Sequence, residues 1–134
     1  MYNLFISHSW AYGNQYDNLI NLLNSKPSFP FRDYSIPKND PVHTNGSDQA
    51  LKRAIYNKML FCNGILILAG VYASYSKWIN AEIEIAKNSF SSPKPIIAIK
   101  PFGNTNVSTK VSAAADKIVN WSTDSIVKAI QELF

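Results

Sequence analysis

The feature that most constrains this sequence is a short, almost wholly apolar run in the middle of the chain, Asn63 to Ala69 (NGILILA). A strand that is apolar on both faces has to be covered on both sides, as strands of parallel sheets usually are. Two further runs share this character, Tyr2 to Ile6 (YNLFI) and Pro95 to Ile99 (PIIAI). Together the three runs predict the buried centre of a parallel β-sheet.

Segments with a helical spacing of apolar residues alternate with these strands. They are Asn14 to Asn24, a helix capped by Ser47, a helix that begins near Ser74 or Ser76 and ends at Ser91, and Thr123 to Phe134. Two weaker strands are predicted at Phe31 to Tyr34 and Asp116 to Asn120, and a loop from Pro101 to Val111 that runs into a short helix at Ala113 to Ala115. With right-handed crossovers, this order predicts one α/β domain over residues 1–134. The expected fold is a flavodoxin-like three-layer sandwich, in which helices cover both faces of a five-stranded, mostly parallel sheet.

Polar and aromatic residues gather where the predicted strands end. The first strand runs into Ser7, His8, Ser9 and Trp10, and the second is followed by an irregular polar segment, residues 37–46 (PKNDPVHTNG). Ligands of parallel α/β sheets bind outside the carboxyl ends of the strands. We therefore expect these segments to meet the start of the Ser76–Ser91 helix at one ligand-binding edge.

One glutamate in that helix is out of place. Glu82 falls near the middle of the arc filled by apolar residues, whereas Glu84 falls on the opposite, polar face. The apolar residues are Trp78, Ile79, Ala81, Ile83, Ile85, Ala86 and Phe90, and the polar face also holds Asn80, Lys87 and Asn88. A carboxylate in apolar surroundings is costly unless it is paired or opens into a pocket. The spacing leaves both explanations open: Glu82 pairs with a lysine or a backbone group, or it lines a ligand pocket.

The sequence lacks the motifs of several other classes of α/β protein. The five glycines match neither the GxGxxG dinucleotide fingerprint nor a P-loop. The first strand ends in Ser-His-Ser and the central strand in Ala-Gly, so the aspartates of a phosphate-accepting receiver domain are missing. No GxSxG elbow is present for a serine hydrolase.

Composition narrows the class further. One cysteine, Cys62, excludes an internal disulfide and is expected to be a small core residue, and with only His8 and His43 as histidines we expect no metal site. The net charge is +4 with scattered lysines, which indicates mild attraction to anionic ligands rather than nucleic-acid binding. No run is long enough to span a membrane, and no secretion signal opens the sequence, so we expect a cytoplasmic protein.

A single carboxylate in a partly apolar cleft suits a reaction that builds positive charge on carbon, as glycoside cleavage does. The nicotinamide of NAD⁺ is already cationic at its ring nitrogen and leaves as a neutral base, so one carboxylate could suffice. Glu82 could stabilise the developing ribosyl cation, orient the ribose hydroxyls or form a covalent intermediate. The sequence does not choose among these roles.

Four segments carry a resemblance to a known family. FISHSW (Phe5 to Trp10), GILILAGVY (Gly64 to Tyr72), SKWINAEIEIA (Ser76 to Ala86) and PIIAIKPFG (Pro95 to Gly103) together resemble TIR-like domains. The similarity is greatest to the bacterial branch typified by the ThsB protein of Thoeris anti-phage systems, and it spans essentially the whole chain.

The resemblance implies a function and a set of site residues. It implies cleavage of NAD⁺, as substrate rather than cofactor, to nicotinamide and an ADP-ribose product that is often cyclised into a signal for a separate effector protein. It assigns catalysis to Glu82 and places Ser7, His8, Ser9, Trp10, Tyr72 and Trp78 around the nucleotide. Self-association is an expected property. Two alternatives stay open: a non-catalytic TIR-like interaction module, and an enzyme like the nucleoside deoxyribosyltransferases.

Overall fold

The computed structural model describes residues 1–7, 15–35, 47–69, 77–100 and 108–134. Five strands and five helices alternate along these ranges. In chain order they are β1 (Tyr2–Ser7), α1 (Gln15–Asn24), β2 (Phe31–Asp33), α2 (Asp48–Met59), β3 (Gly64–Leu68), α3 (Lys77–Asn88), β4 (Ile96–Ile99), α4 (Thr109–Ala114), β5 (Lys117–Val119) and α5 (Thr123–Leu133).

The five strands form one sheet in the order β2-β1-β3-β4-β5, and every neighbouring pair is parallel. The sheet is thus wholly rather than mostly parallel. The two short strands, β2 and β5, lie at its edges. Beyond β2, the Tyr34 N–H still donates to the Leu4 carbonyl at 2.8 Å, and the Ile6 N–H donates to Ser35 Oγ at 3.0 Å.

Side-chain alternation along the strands divides the core into two layers. On β1, Phe5 faces the layer formed by α2, α3 and α4, whereas Leu4 and Ile6 face the layer formed by α1 and α5. All five residues of β3 and all four of β4 are buried. This double burial is what the apolar runs in the sequence predict, and it confirms the flavodoxin-like three-layer α/β sandwich.

Local signals explain where several helices begin. Ser47 precedes α2, and its side chain accepts a hydrogen bond from the Ala50 N–H at 3.1 Å. Ser108 caps α4 in the same way through the Val111 N–H at 3.2 Å. The helix therefore begins at Thr109, so the prediction of a loop as far as Val111 and a helix only at residues 113–115 is wrong. Val111 anchors this helix in the core with 0% exposure.

The first residue of β3 has no room for a side chain. A Cβ at Gly64 would overlap the aromatic ring of Phe134, which packs into the α1–α5 layer. The close approach lets the last residue of the chain cover the start of the central strand. In the ranges described here, no helix combines the length and apolar character needed to cross a membrane.

Candidate functional site

The α3 helix presents Glu82 to the core and Glu84 to solvent, as the sequence predicts. Ile79, Ala86, Ala81 and Ile85 are buried in the layer between α3 and the sheet. Glu82 lies among them with only 5% of its surface exposed. Glu84, two residues later in the helix, is exposed. Glu82 is therefore a carboxyl group enclosed by an apolar layer.

Ser7 is the last residue of β1 and lies at the carboxyl end of the sheet. It is in register with Ile67 of β3. Because side chains alternate along a strand, Ser7 follows Phe5 onto the face covered by α2 and α3. It is 1% exposed. Strand alternation and helix periodicity thus bring Ser7 and Glu82 to the same side of the sheet, at the edge where parallel sheets bind ligands.

Ser7 and Glu82 each have a side-chain oxygen that can form a further hydrogen bond. Ser7 Oγ and Glu82 Oε2 are both buried, and neither has a hydrogen-bonding partner of ordinary geometry among the described residues. An unsatisfied buried polar group costs about 1–3 kcal/mol, and native structures contain few of them. Both atoms lie on the same side of the sheet, at the edge where parallel α/β sheets bind ligands.

Burial controls the ionisation of Glu82. Desolvation raises the pKa of Glu82 from 4.5 to about 8, and the nearby Ser7 hydroxyl partly offsets that rise. No charged side chain in the described part of the chain contributes to the shift, and no ion pair to Glu82 is present there. At neutral pH the carboxyl group is therefore mostly protonated and neutral in the free protein. A cation bound beside it would favour its ionised form.

The outer side of α3 has a different character. A cavity of about 160 Å³ between α2 and α3 is lined by Asp48, Leu51, Lys52, Asn80, Ala81 and Glu84. Asn80 Oδ1 is buried without a hydrogen-bonding partner among the described residues, although Asn80 belongs to the polar face by helical spacing. The sequence does not predict this, because helical spacing carries no information about neighbouring elements such as α2, which lines the same cavity.

The described ranges contain three of the seven predicted site residues. Ser7 and Glu82 come together, and Trp78 lies half-buried against the layer that contains α3. His8, Ser9, Trp10, Tyr72 and the polar segment 37–46 lie outside the described residues. Their roles, and the catalytic role of Glu82, stay predictions. Within the described ranges, no three His, Cys, Asp or Glu side chains come together in a way that could hold a metal ion.

Comparison with known proteins supports the fold and the family. The crystal structure of a prokaryotic SEFIR domain superposes with a TM-score of 0.55 and 14% sequence identity, covering 99% of this chain and 96% of that one. At this identity the likeness shows the fold alone. No curated protein matches the sequence. A family model described as the TIR-like domain of Thoeris protein ThsB matches residues 5–106, about three quarters of the 134 residues. The chain therefore belongs to the Thoeris ThsB family of TIR-like domains.

Proposed function

We propose that this protein is an NAD⁺-cleaving enzyme of bacterial anti-phage defence. It would release nicotinamide and make a linear or cyclic ADP-ribose product that a separate effector protein senses. The observation that carries the proposal is Glu82, a buried carboxyl group with an unpaired Oε2 at the ligand-binding edge of the sheet. Membership of the TIR-like family supports the choice of substrate.

The chemistry needs one carboxylate. The bond between ribose C1′ and the nicotinamide nitrogen breaks, and its electron pair moves to the ring nitrogen, which becomes neutral. The positive charge that develops on the ribose is stabilised by the Glu82 carboxylate, which acts strongly because its surroundings are apolar. Attack of water on C1′ then gives ADP-ribose and a proton, and attack by a nucleophile within the same molecule gives a cyclic product.

This mechanism requires Glu82 to be ionised when NAD⁺ is bound. In the free protein the pKa of Glu82 is about 8 because the group is desolvated. The cationic nicotinamide ring favours the carboxylate, so its pKa should fall in the complex. We therefore expect kcat/KM, which reports the free enzyme, to rise with pH up to about 8, and kcat to reach its plateau at a lower pH.

The test is the substitution Glu82→Gln, with Glu84→Gln as the matched control on the same helix. Nicotinamide release from NAD⁺ is followed by liquid chromatography and mass spectrometry, with purified protein and with lysate of phage-infected cells added. We expect Glu82→Gln to lower kcat by at least about 100-fold and Glu84→Gln to retain activity. Full activity of the Glu82→Gln variant would remove the basis of the proposal.

A second candidate is a non-catalytic interaction module, which one observation favours. Phe61 and Leu60, at the end of the sheet opposite Glu82, are 61% and 45% exposed. Exposed apolar side chains of this size suit contact with another protein or a second copy of the chain. If the wild-type protein forms no nucleotide product under any of these conditions, this candidate is preferred. Exchange of bases on nucleosides without use of NAD⁺ would instead indicate an enzyme like the nucleoside deoxyribosyltransferases.

A further inference from the structure

The hydroxyl of Ser7 and the carboxyl of Glu82 are neighbours in the fold, although they are far apart in the sequence. Ser7 lies at the end of β1, and Glu82 lies in the second turn of α3. The side-chain repeat of the strand and that of the helix place both residues in the same layer. Both side chains are at least nine-tenths buried, at 1% and 5% exposure. Both retain an oxygen without a hydrogen-bonding partner among the described residues.

A hydroxyl suits this position because it can both donate and accept a hydrogen bond. When Glu82 is ionised, the Ser7 O–H can donate to the carboxylate. When Glu82 is protonated, its own O–H can donate to Ser7 Oγ. Hydrogen bonds of catalytic groups are often poorly aligned before substrate binds and tighten in the complex, which fits two neighbouring groups that have not yet completed a bond.

We propose that Ser7 is a positioning residue: it holds the Glu82 carboxyl group in one orientation and supports both of its protonation states. This inference rests on the proposed function, and it differs from the sequence-based expectation that Ser7 contacts the nucleotide. Ser7 acts on the substrate through Glu82.

In the part of this layer that the structure describes, the side chains around Glu82 are apolar apart from Ser7. The strands that pack against α3 contribute apolar side chains to its layer: Phe5, Ile65, Ile67, Ile96 and Ala98. From α4 the buried contribution is Val111, and from α2 it is Leu51, Ile55 and Met59. The charged residues Asp48, Lys52 and Glu84 line the outer cavity instead. Within the described ranges, burial and the Ser7 hydroxyl are thus the two influences on the ionisation of Glu82.

The first test compares the pH profiles of kcat/KM for wild type, Ser7→Ala and Ser7→Thr. Loss of a hydrogen bond that favours the carboxylate should raise the apparent pKa by about 0.5–1 unit in Ser7→Ala. Activity should then fall up to about tenfold at pH 7 but less than about twofold at pH 9.5. Ser7→Thr keeps the hydroxyl and should keep the wild-type profile. An equal loss of activity at all pH values in Ser7→Ala would overturn the proposal, because it would indicate a substrate contact or a structural role.

The second test does not depend on turnover. The chain has three glutamates, Glu82, Glu84 and Glu132, so ¹³C labelling of glutamate carboxyl groups gives three resonances, and Glu82→Gln assigns that of Glu82. We expect Ser7→Ala to shift the Glu82 titration upward, with Glu84 and Glu132 as internal references. An unchanged Glu82 titration in Ser7→Ala would refute the pairing. A shifted titration together with an active Glu82→Gln enzyme would refute the proposed function and leave the pairing intact.

Discussion

The two ends of the same parallel sheet differ in the hydrogen bonding of their polar side chains. At the amino end, the Asn3 backbone N–H donates to Asn63 Oδ1 at 2.8 Å, and the Asn3 side-chain amide donates to the Phe61 carbonyl at 3.0 Å. Lys94 Nζ donates to the Cys62 carbonyl at 2.8 Å and lies 4.9 Å from the centre of the Phe90 ring. Polar groups at this end join the α2–β3 connection to β1 and to the segment before β4.

The carboxyl end has the opposite arrangement. Ser7 Oγ and Glu82 Oε2 are buried there without a partner among the described residues. The contrast extends to Cys62 and Glu82, the buried groups of the described ranges whose pKa values shift most. Burial raises the pKa of the Cys62 thiol to about 12, and the Cys62 S–H donates to the Lys58 carbonyl at 3.3 Å. Cys62 is thus a neutral, partnered core residue, whereas Glu82 has an oxygen, Oε2, without a hydrogen-bonding partner among the described residues. The polar groups at the amino end thus form hydrogen bonds that stabilise the fold, whereas those at the carboxyl end belong to the site for which we propose a ligand.

The largest expected effect comes from removing the titratable carboxyl group of Glu82 at the carboxyl end. The pKa of Glu82 rises from 4.5 to about 8 on folding, so the folded state binds the proton more tightly than the unfolded state. The contribution of Glu82 to the free energy of unfolding is therefore fully present below pH 4.5. It falls as the pH rises from 4.5 to 8 and is constant above that range. Glu82→Gln lacks this dependence. Relative to the variant, wild type should lose about 5 kcal/mol at most across this window.

Urea unfolding of both proteins at several pH values between 4 and 9 measures this difference. Groups common to both proteins cancel when the variant's free energy of unfolding is subtracted from that of wild type. If the difference between the two free energies of unfolding were the same at every pH, Glu82 would not be desolvated. The contrast between the two ends would then disappear.

A medium effect is expected at the amino end, where Asp116 joins β5 to β4. Its Oδ2 accepts a hydrogen bond from the Ile96 N–H at 2.8 Å, and its own N–H donates to the Ile96 carbonyl at 2.8 Å. Asp116→Ala removes the first of these bonds and leaves a strand N–H without its partner. We expect a loss of about 1–2 kcal/mol in the free energy of unfolding.

The control at this site is Asp116→Asn, which keeps an acceptor oxygen and should retain most of the stability. NAD⁺ cleavage should be unchanged in both variants when it is measured on folded protein. If Asp116→Ala lowered activity as much as Glu82→Gln, the separation of the two ends into a stabilising and a functional one would be wrong.

The sequence predicts the sheet well because the relevant signal is local. The apolar runs at β1, β3 and β4 and the helical spacing in α3 each lie within a few residues of one another, and each determines which faces are buried. The N-terminus of α4 is predicted less well. Its cap, Ser108, follows a stretch rich in Gly, Asn and Thr whose composition indicates a loop.

The candidate site is predictable only in part, because its central pair is not local. The position of Glu82 in the apolar layer follows from helical spacing alone. Its proximity to Ser7, 75 positions earlier in the sequence, depends on the strand order and on the register of β1 against β3. Neither quantity can be obtained from local patterns. Asn80 Oδ1 is a second example. Helical spacing places Asn80 on the polar face, but this atom is buried beside the cavity that α2 lines.

The smallest expected effect is that of Glu84→Gln. This substitution compares two glutamates, Glu82 and Glu84, that are two positions apart on α3. Glu84 is exposed and lines the outer cavity with Asp48 and Lys52, so its carboxylate is already solvated in the folded state. The substitution should change the free energy of unfolding by less than about 0.5 kcal/mol and NAD⁺ cleavage by less than about twofold, which urea unfolding and nicotinamide release measure. A large loss of activity in Glu84→Gln, with Glu82→Gln active, would move the functional carboxylate to the outer cavity between α2 and α3. The unpaired Asn80 Oδ1 would then mark the ligand site, and the carboxyl end of the sheet would lose its assigned role.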